Sequence, residues 1–273
     1  MRKLLAGLLL VPAMAAVSSK TAAQISISSP SVMEQGASPG ESYSGTVLLR
    51  NRSAEMQEAK IYQTDYLTFA DGTTSYGEAG STPRSNARWI TIQPTYVTVP
   101  PHQTIEARYT VRVPAASASP LAGSYWSMIM VEGIPKGSAE SRVAAGAQRK
   151  VQVGIVTRLR YAVQIVTNIG TTGSRKVQFA NPKTIATGNG KELQFDLVNT
   201  GERAYAPRIS LELYTEAGEQ AAVRTTTREL TYPGTSLRQS FDLGGLAAGR
   251  YRALVVVDAG GDDVFGAQFT IAL

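Results

Sequence analysis

From about residue 25 onward, apolar side chains recur with a period of two rather than 3.6. The alternation is plain in Tyr43-Ser44-Gly45-Thr46-Val47-Leu48-Leu49, in Ile105 to Val113 and in Leu193-Gln194-Phe195-Asp196-Leu197. Successive strand side chains point to opposite faces, so these segments predict half-buried strands. Trp126 to Val131 and Leu254 to Val257 are unbroken apolar runs, the pattern of a central strand covered on both faces. Turn formers separate the runs: Asn51-Arg52-Ser53, Asp71-Gly72, Pro100-Pro101, Gly188-Asn189-Gly190, Asn199-Thr200-Gly201, Pro233-Gly234 and Gly260-Gly261-Asp262. Short strands broken by turns every ~8 to 12 residues, without any stretch of helical period, predict an all-β chain of two immunoglobulin-like β-sandwich domains in tandem.

Two segments interrupt the pattern. Residues 134–149 are small, polar and Gly/Ala-rich, which predicts a long mobile loop between a strand ending near Glu132 and one starting near Val151. Residues 167–176, TNIGTTGSRK, read as an interdomain linker. The expected organisation is thus an N-terminal domain over 25–166, a linker over 167–176 and a C-terminal domain over 177–273.

The N-terminus sets the compartment. Arg2 and Lys3 precede an apolar run from Leu4 to Val11, and Ala13-Met14-Ala15 supplies a small-x-small cleavage site, the pattern of a secretory signal peptide over 1–23. Cleavage after 15 or after 23 both fit. The run is far shorter than the roughly 20 residues of a membrane span, so no integral span is expected. With no cysteine, neither a lipidated anchor nor a disulfide framework is open to the chain, and its stability must come from packing. The formal net charge of +6 falls to +4 or +3 once Arg2, Lys3 and, with the later cut, Lys20 are removed. That mild excess suits carboxylate-bearing partners. The basic residues are spread along strands rather than gathered with aromatics, which argues against nucleic acid.

The catalytic inventory is nearly empty. The single histidine, His102, follows Pro100-Pro101 in a predicted turn, with no nucleophile motif beside it. Without cysteine, only a carboxylate site for a hard cation is conceivable. Its one candidate, Asp258, Asp262 and Asp263, has the spacing of a plain hairpin turn. The sequence therefore predicts no enzyme, no cofactor and no metal.

Polypeptide binding is better supported. Val151 to Val163 reads as one long strand after the loop, and a long strand at a sheet edge offers unpaired N–H and C=O groups to a partner strand. Arg158 and Arg160, two apart, share a face on which they could grip a carboxylate by bidentate hydrogen bonds. The competing reading makes them a solvated face opposite inward-pointing Leu159, Tyr161 and Val163.

The order of elements over 25–165 resembles the N-terminal domain of the periplasmic pilus-assembly chaperones. The resemblance rests on Val32-Met33-Glu34-Gln35-Gly36, on Thr46 to Ser53 with its N-x-S turn, on Trp89-Ile90-Thr91-Ile92-Gln93-Pro94, on Trp126 to Pro135, and on Thr157-Arg158-Leu159-Arg160-Tyr161. It implies a chaperone of pilus or fimbrium biogenesis that donates a strand to exported subunits, with Val151, Val153 and Ile155 as pocket-filling side chains and an outer-membrane usher as a further partner. It also implies that Arg158 takes the place of the family's cleft lysine. The family's cleft arginine has no counterpart in Ile25 to Val32. The C-terminal half reads as a generic immunoglobulin-like module, also similar to repeats of bacterial surface proteins. An envelope or cell-surface adhesin or scaffold is accordingly the alternative.

Overall fold

The computed structural model describes residues 25–115, 120–143, 158–188 and 190–273. In chain order the strands of the first half are β1 (Ser26–Ile27), β2 (Val32–Ala37), β3 (Ser42–Arg50), β4 (Gln57–Thr68), β5 (Thr74–Gly77), β6 (Ile90–Gln93), β7 (Tyr96–Val99), β8 (Thr104–Arg112), β9 (Gly123–Ile134) and β10 (Arg160–Ile169). Those of the second half are β11 (Val177–Thr187), β12 (Gly190–Asn199), β13 (Arg208–Thr215), β14 (Gln220–Thr227), β15 (Ser236–Asp242), β16 (Arg250–Asp258) and β17 (Val264–Ala272). One short 3-10 turn, Ala87–Trp89, accompanies them.

Four sheets form two sandwiches. The first pairs a sheet of order β1-β3-β8-β6 with one of order β2-β10-β9-β4-β5, in which β7 also pairs β4. The second pairs β11-β12-β15 with β14-β13-β16-β17. Every pairing is antiparallel except β2 with β10. The predicted alternation becomes the core: Ala107, Tyr109 and Val111 of β8 face Ile129, Val131, Val163 and Ile165 across the first sandwich. Leu193, Phe195 and Leu197 of β12 meet Ile209, Leu211, Val255 and Val257 in the second. Burying each such Val, Leu, Ile or Phe side chain contributes about 1.5–3 kcal/mol. The continuous runs Trp126–Val131 and Leu254–Val257 lie in β9 and β16, each flanked by a strand on both sides.

Two sequence expectations change. β10 runs on to Ile169, so Thr167, Asn168 and Ile169 are strand rather than linker. Thr167 and Asn168 are buried polar residues whose partners are supplied by other elements: Thr167 Oγ1 accepts from Asn86 Nδ2 at 3.0 Å, and Asn168 Nδ2 donates to Glu34. The loop expected from residue 134 starts later, since Ile134 still pairs with Glu58 of β4. Val151, Val153 and Ile155, and the signal peptide, lie outside the described residues.

The two sandwiches meet at the Gly123 end of β9. The Trp126 ring stacks on Tyr232 with centroids 4.6 Å apart, in a cluster with Val166 and Ala204. Ser124 N–H donates to the Glu202 carbonyl at 2.9 Å and Ser124 Oγ accepts from Ala204 N–H at 2.8 Å. Gly123 has φ +75°, and a Cβ there would stand 2.0 Å from the Glu202 carbonyl oxygen, so this contact requires glycine.

Candidate functional site

The N-terminal strand crosses from one sheet to the other. β1 pairs with β3, and after Pro30 the chain changes sheets so that β2 lies parallel to β10. β2 covers only the later part of β10, its register running from Gln164↔Val32 to Ile169↔Ala37. Residues Arg160–Val163 pair with β9 on one side and, among the described residues, with no strand on the other. Gln164 N–H donates to Ser31 O, whereas Leu159 O accepts from Gly133 N–H. With a period of two, Arg160 and Ala162 therefore aim their peptide groups at the open edge, and Tyr161 and Val163 aim theirs at β9. Ile25 and Ile27, with Tyr161 and Val163, belong to the core cluster of the first sandwich.

Arg158 and Arg160 do share a face. Both reach the Glu132 carboxylate, Arg160 Nε at 2.8 Å and Arg158 Nη1 at 3.4 Å, and Lys60 Nζ stands 3.5 Å away. The Tyr62 hydroxyl donates to the same carboxylate at 3.0 Å. Register explains the convergence, since Lys60, Glu132 and Arg160 lie side by side across β4, β9 and β10. Glu132 is only 2% exposed. Burial pushes its carboxyl pKa up, but the Tyr62 hydroxyl, Lys60 and Arg160 outweigh burial and hold it below the usual glutamate value. Leu159, expected to point inward, is 42% exposed. Tyr161 and Val163 are the residues that turn to the core.

Arg158 and Arg160 lie away from the junction between the sandwiches. The sandwich junction meets β10 near Gln164 and Val166, where Tyr232 donates to Gln164 Oε1. Arg160 and Asn168 are eight residues apart, roughly 25 Å along a strand. Near the junction the outer face of β10 carries Gln164 and Asn168, and the neighbouring β2 presents Glu34. A cleft of about 610 Å³ lies there, lined among others by Val32, Tyr66, Phe69, Gln164, Arg228 and Tyr232. Arg158 belongs to the opposite end of the sheet.

The chain is similar to solved fimbrial chaperones. The class 5 fimbriae chaperone CfaA matches at 12% identity, covering 90% of this chain and 98% of that one, with a TM-score of 0.47. The chaperone–tip adhesion subunit pre-assembly complex CsuC–CsuE of Acinetobacter baumannii matches at 12% identity over 90% of this chain and 98% of that chain, TM-score 0.45. The Escherichia coli chaperone DraB matches at 15% identity over 89% of this chain and 96% of that chain, TM-score 0.43. No protein-family model matches the chain, and no curated protein matches it.

The other candidates of the sequence lie in or beside turns. His102 has φ +58° in the exposed turn closed by Gln103 N–H to Pro100 O. Asp258 accepts from Gly260 N–H at 2.8 Å, and Asp263 pairs with Arg175 at 3.0 Å. Glu58, Lys60, Tyr62 and Glu132 were not singled out in the sequence. The available signal was charged residues at alternate positions of a strand whose other face is Ala59 and Ile61.

Proposed function

We propose that this protein is a periplasmic chaperone-like protein that binds exported, pilin-like subunits by β-strand addition at the start of β10. The observation that carries the reading is the open edge at Arg160–Val163, left where the N-terminal strand changes sheets. Two residues there, Arg160 and Ala162, present main-chain donors and acceptors outward, beside the core residues Ile25, Ile27 and Tyr161. A partner strand satisfies those groups while its alternate side chains pack along the sheet edge. The signal-peptide pattern and the sequence resemblance support the compartment and the class of client. Val151, Val153 and Ile155 precede the open edge and extend the proposed contact; an usher is a further partner on this reading.

The test is an affinity pull-down of the tagged mature protein from periplasmic extract, with mass spectrometry of what co-purifies, beside a Val153→Arg variant. Small β-rich exported subunits recovered by the parent and lost by the variant are the expected result. Equal recovery by both forms, or recovery of wall and outer-membrane components only, overturns the reading in favour of an adhesin or scaffold.

A further inference from the structure

After β9 the chain does not continue outward. Pro135 and Ser138 open successive turns, Lys136 pairs with Glu55 at 2.5 Å, and residues 138–143 fold back across the outer face of β4. There they meet a second buried carboxylate. Glu58, 2% exposed, accepts from the N–H groups of Arg142 at 2.8 Å and Val143 at 3.0 Å and from the hydroxyls of Ser141 and Tyr96. The Arg142 guanidinium lies over the Tyr96 ring, 4.0 Å from its centroid. Two positions along the same face of β4, Lys60 links Glu132 to Glu140, and Glu140 reaches Arg158 at 3.7 Å. Residues 140–143 and 158–160 are thus tied to neighbouring strands of one sheet face, within roughly 10 Å of each other.

We infer that Glu58 and Glu132 are positioning residues forming a two-point clasp on the flanks of the 144–157 segment. This rests on the strand-addition reading, since that segment leads into the open edge of β10. Glu58 fixes the entry through backbone amides, which any side chain at 142 or 143 would offer equally. Glu132 fixes the exit through Arg158 and Arg160. Glu140 joins the two by bridging Lys60 and Arg158. Loop closure costs conformational entropy whenever distant chain positions must be held together. Here intramolecular contacts meet that cost before a partner arrives, which favours binding without a contact to the partner itself. A buried carboxylate supplied by four donors is suited to this task, because charge-assisted hydrogen bonds are about twice as strong as neutral ones.

Hydrogen exchange on the whole mature protein tests the clasp without any partner. Glu58→Gln is expected to accelerate exchange at the Arg142 and Val143 amides by about ten-fold or more, the loss of charge-assisted bonds, while Ile129 and Val163 amides stay unchanged. Tyr96→Phe keeps the ring beneath Arg142 and removes one donor, so it gives the same direction with a smaller change and serves if Glu58→Gln folds poorly. With periplasmic extract as the probe, equal amounts of folded Glu58→Gln protein should recover several-fold less of the subunits bound by the parent. Unchanged exchange at 142 and 143 overturns the clasp, and faster exchange with undiminished recovery overturns its positioning role. A parent that recovers no subunit removes the strand-addition reading, and with it the positioning role, while the exchange result still decides whether the clasp exists.

Discussion

Asn51 and Asn199 hold equivalent posts in the two sandwiches, each fully buried at the end of a core strand. Asn51 Nδ2 donates to Glu55 O and Val99 O while its Oδ1 accepts from Ser53 N–H; Asn199 Nδ2 donates to Arg203 O and Thr231 O while its Oδ1 accepts from Gly201 N–H. Both positions are legible in the sequence as turn formers, yet their burial is not, because the carbonyls they serve come from distant strands. Buried polar groups persist only when satisfied in this way, and the same rule governs the carboxylates. Hydrogen bonds from Ser85, Thr82 and Gly80 outweigh the burial that would raise Asp65, and the Arg238 guanidinium lowers Asp196 against its burial, as Tyr62, Lys60 and Arg160 do for Glu132. A carboxyl whose folded pKa lies below its unfolded value of about 4 stabilises the fold fully above that value and loses the contribution as pH falls through the folded pKa. The thermal midpoint should therefore be flat from about pH 7 to about pH 5 and drop below about pH 4. Glu132→Gln should cost about 1–3 kcal/mol at neutral pH by urea unfolding, a difference that shrinks in acid. A difference that persists undiminished at pH 3 would show that packing, not charge, carries the effect.

At the scale of elements, β10 combines two regimes in ten residues, paired on one side only at its start among the described residues and sealed by β2 at its end. On the strand-addition reading, strand parity separates binding from stability there. The Ala162 N–H faces the open edge and the Val163 N–H faces β9, so Ala162→Pro removes a donor offered to a partner, whereas Val163→Pro breaks the ladder and the core together. Ala162→Pro is expected to abolish subunit recovery at a cost of no more than about 1 kcal/mol in stability, as edge strands tolerate proline; Val163→Pro should lose the fold, at ~3 kcal/mol or more. Circular dichroism melts alongside the pull-down check both. The sequence made the strands, their faces and the shared face of Arg158 and Arg160 readable, because those depend on a period of two. It concealed which end of β10 meets the second sandwich, since that depends on the parallel register with Val32–Ala37. It also concealed the end of the strand: Thr167 and Asn168 look like linker until Asn86 and Glu34 are seen to satisfy them. Glu58 and Lys60 could not be tied to Glu132 and Arg142 from spacing, as more than seventy residues separate them.

For the whole molecule, the junction and the open edge are distinct devices on one sheet. The junction is rigid in construction: the Trp126–Tyr232 stack, the Ser124–Glu202 and Ala204–Ser124 hydrogen bonds and the close approach at Gly123 are joined by Arg203, which donates to Gly170 O at 3.0 Å and Thr172 O at 2.9 Å. An occupant of the cleft beside it meets side chains of Tyr66, Phe69 and Gln164 rather than open main chain, because β2 already covers β10 there. Tyr232→Ala deletes the stack and the bond to Gln164, and large-to-small changes of this kind typically cost about 3–5 kcal/mol. Each sandwich keeps its own core, so the loss should fall on their coupling: calorimetry is expected to resolve two transitions where the parent shows one, and the radius of gyration from small-angle scattering should rise. Subunit recovery should weaken without vanishing, since the edge at Arg160–Val163 is untouched. Complete loss of recovery by a variant whose two sandwiches remain folded would instead make the cleft, and the fixed angle between the sandwiches, the principal holder of the client.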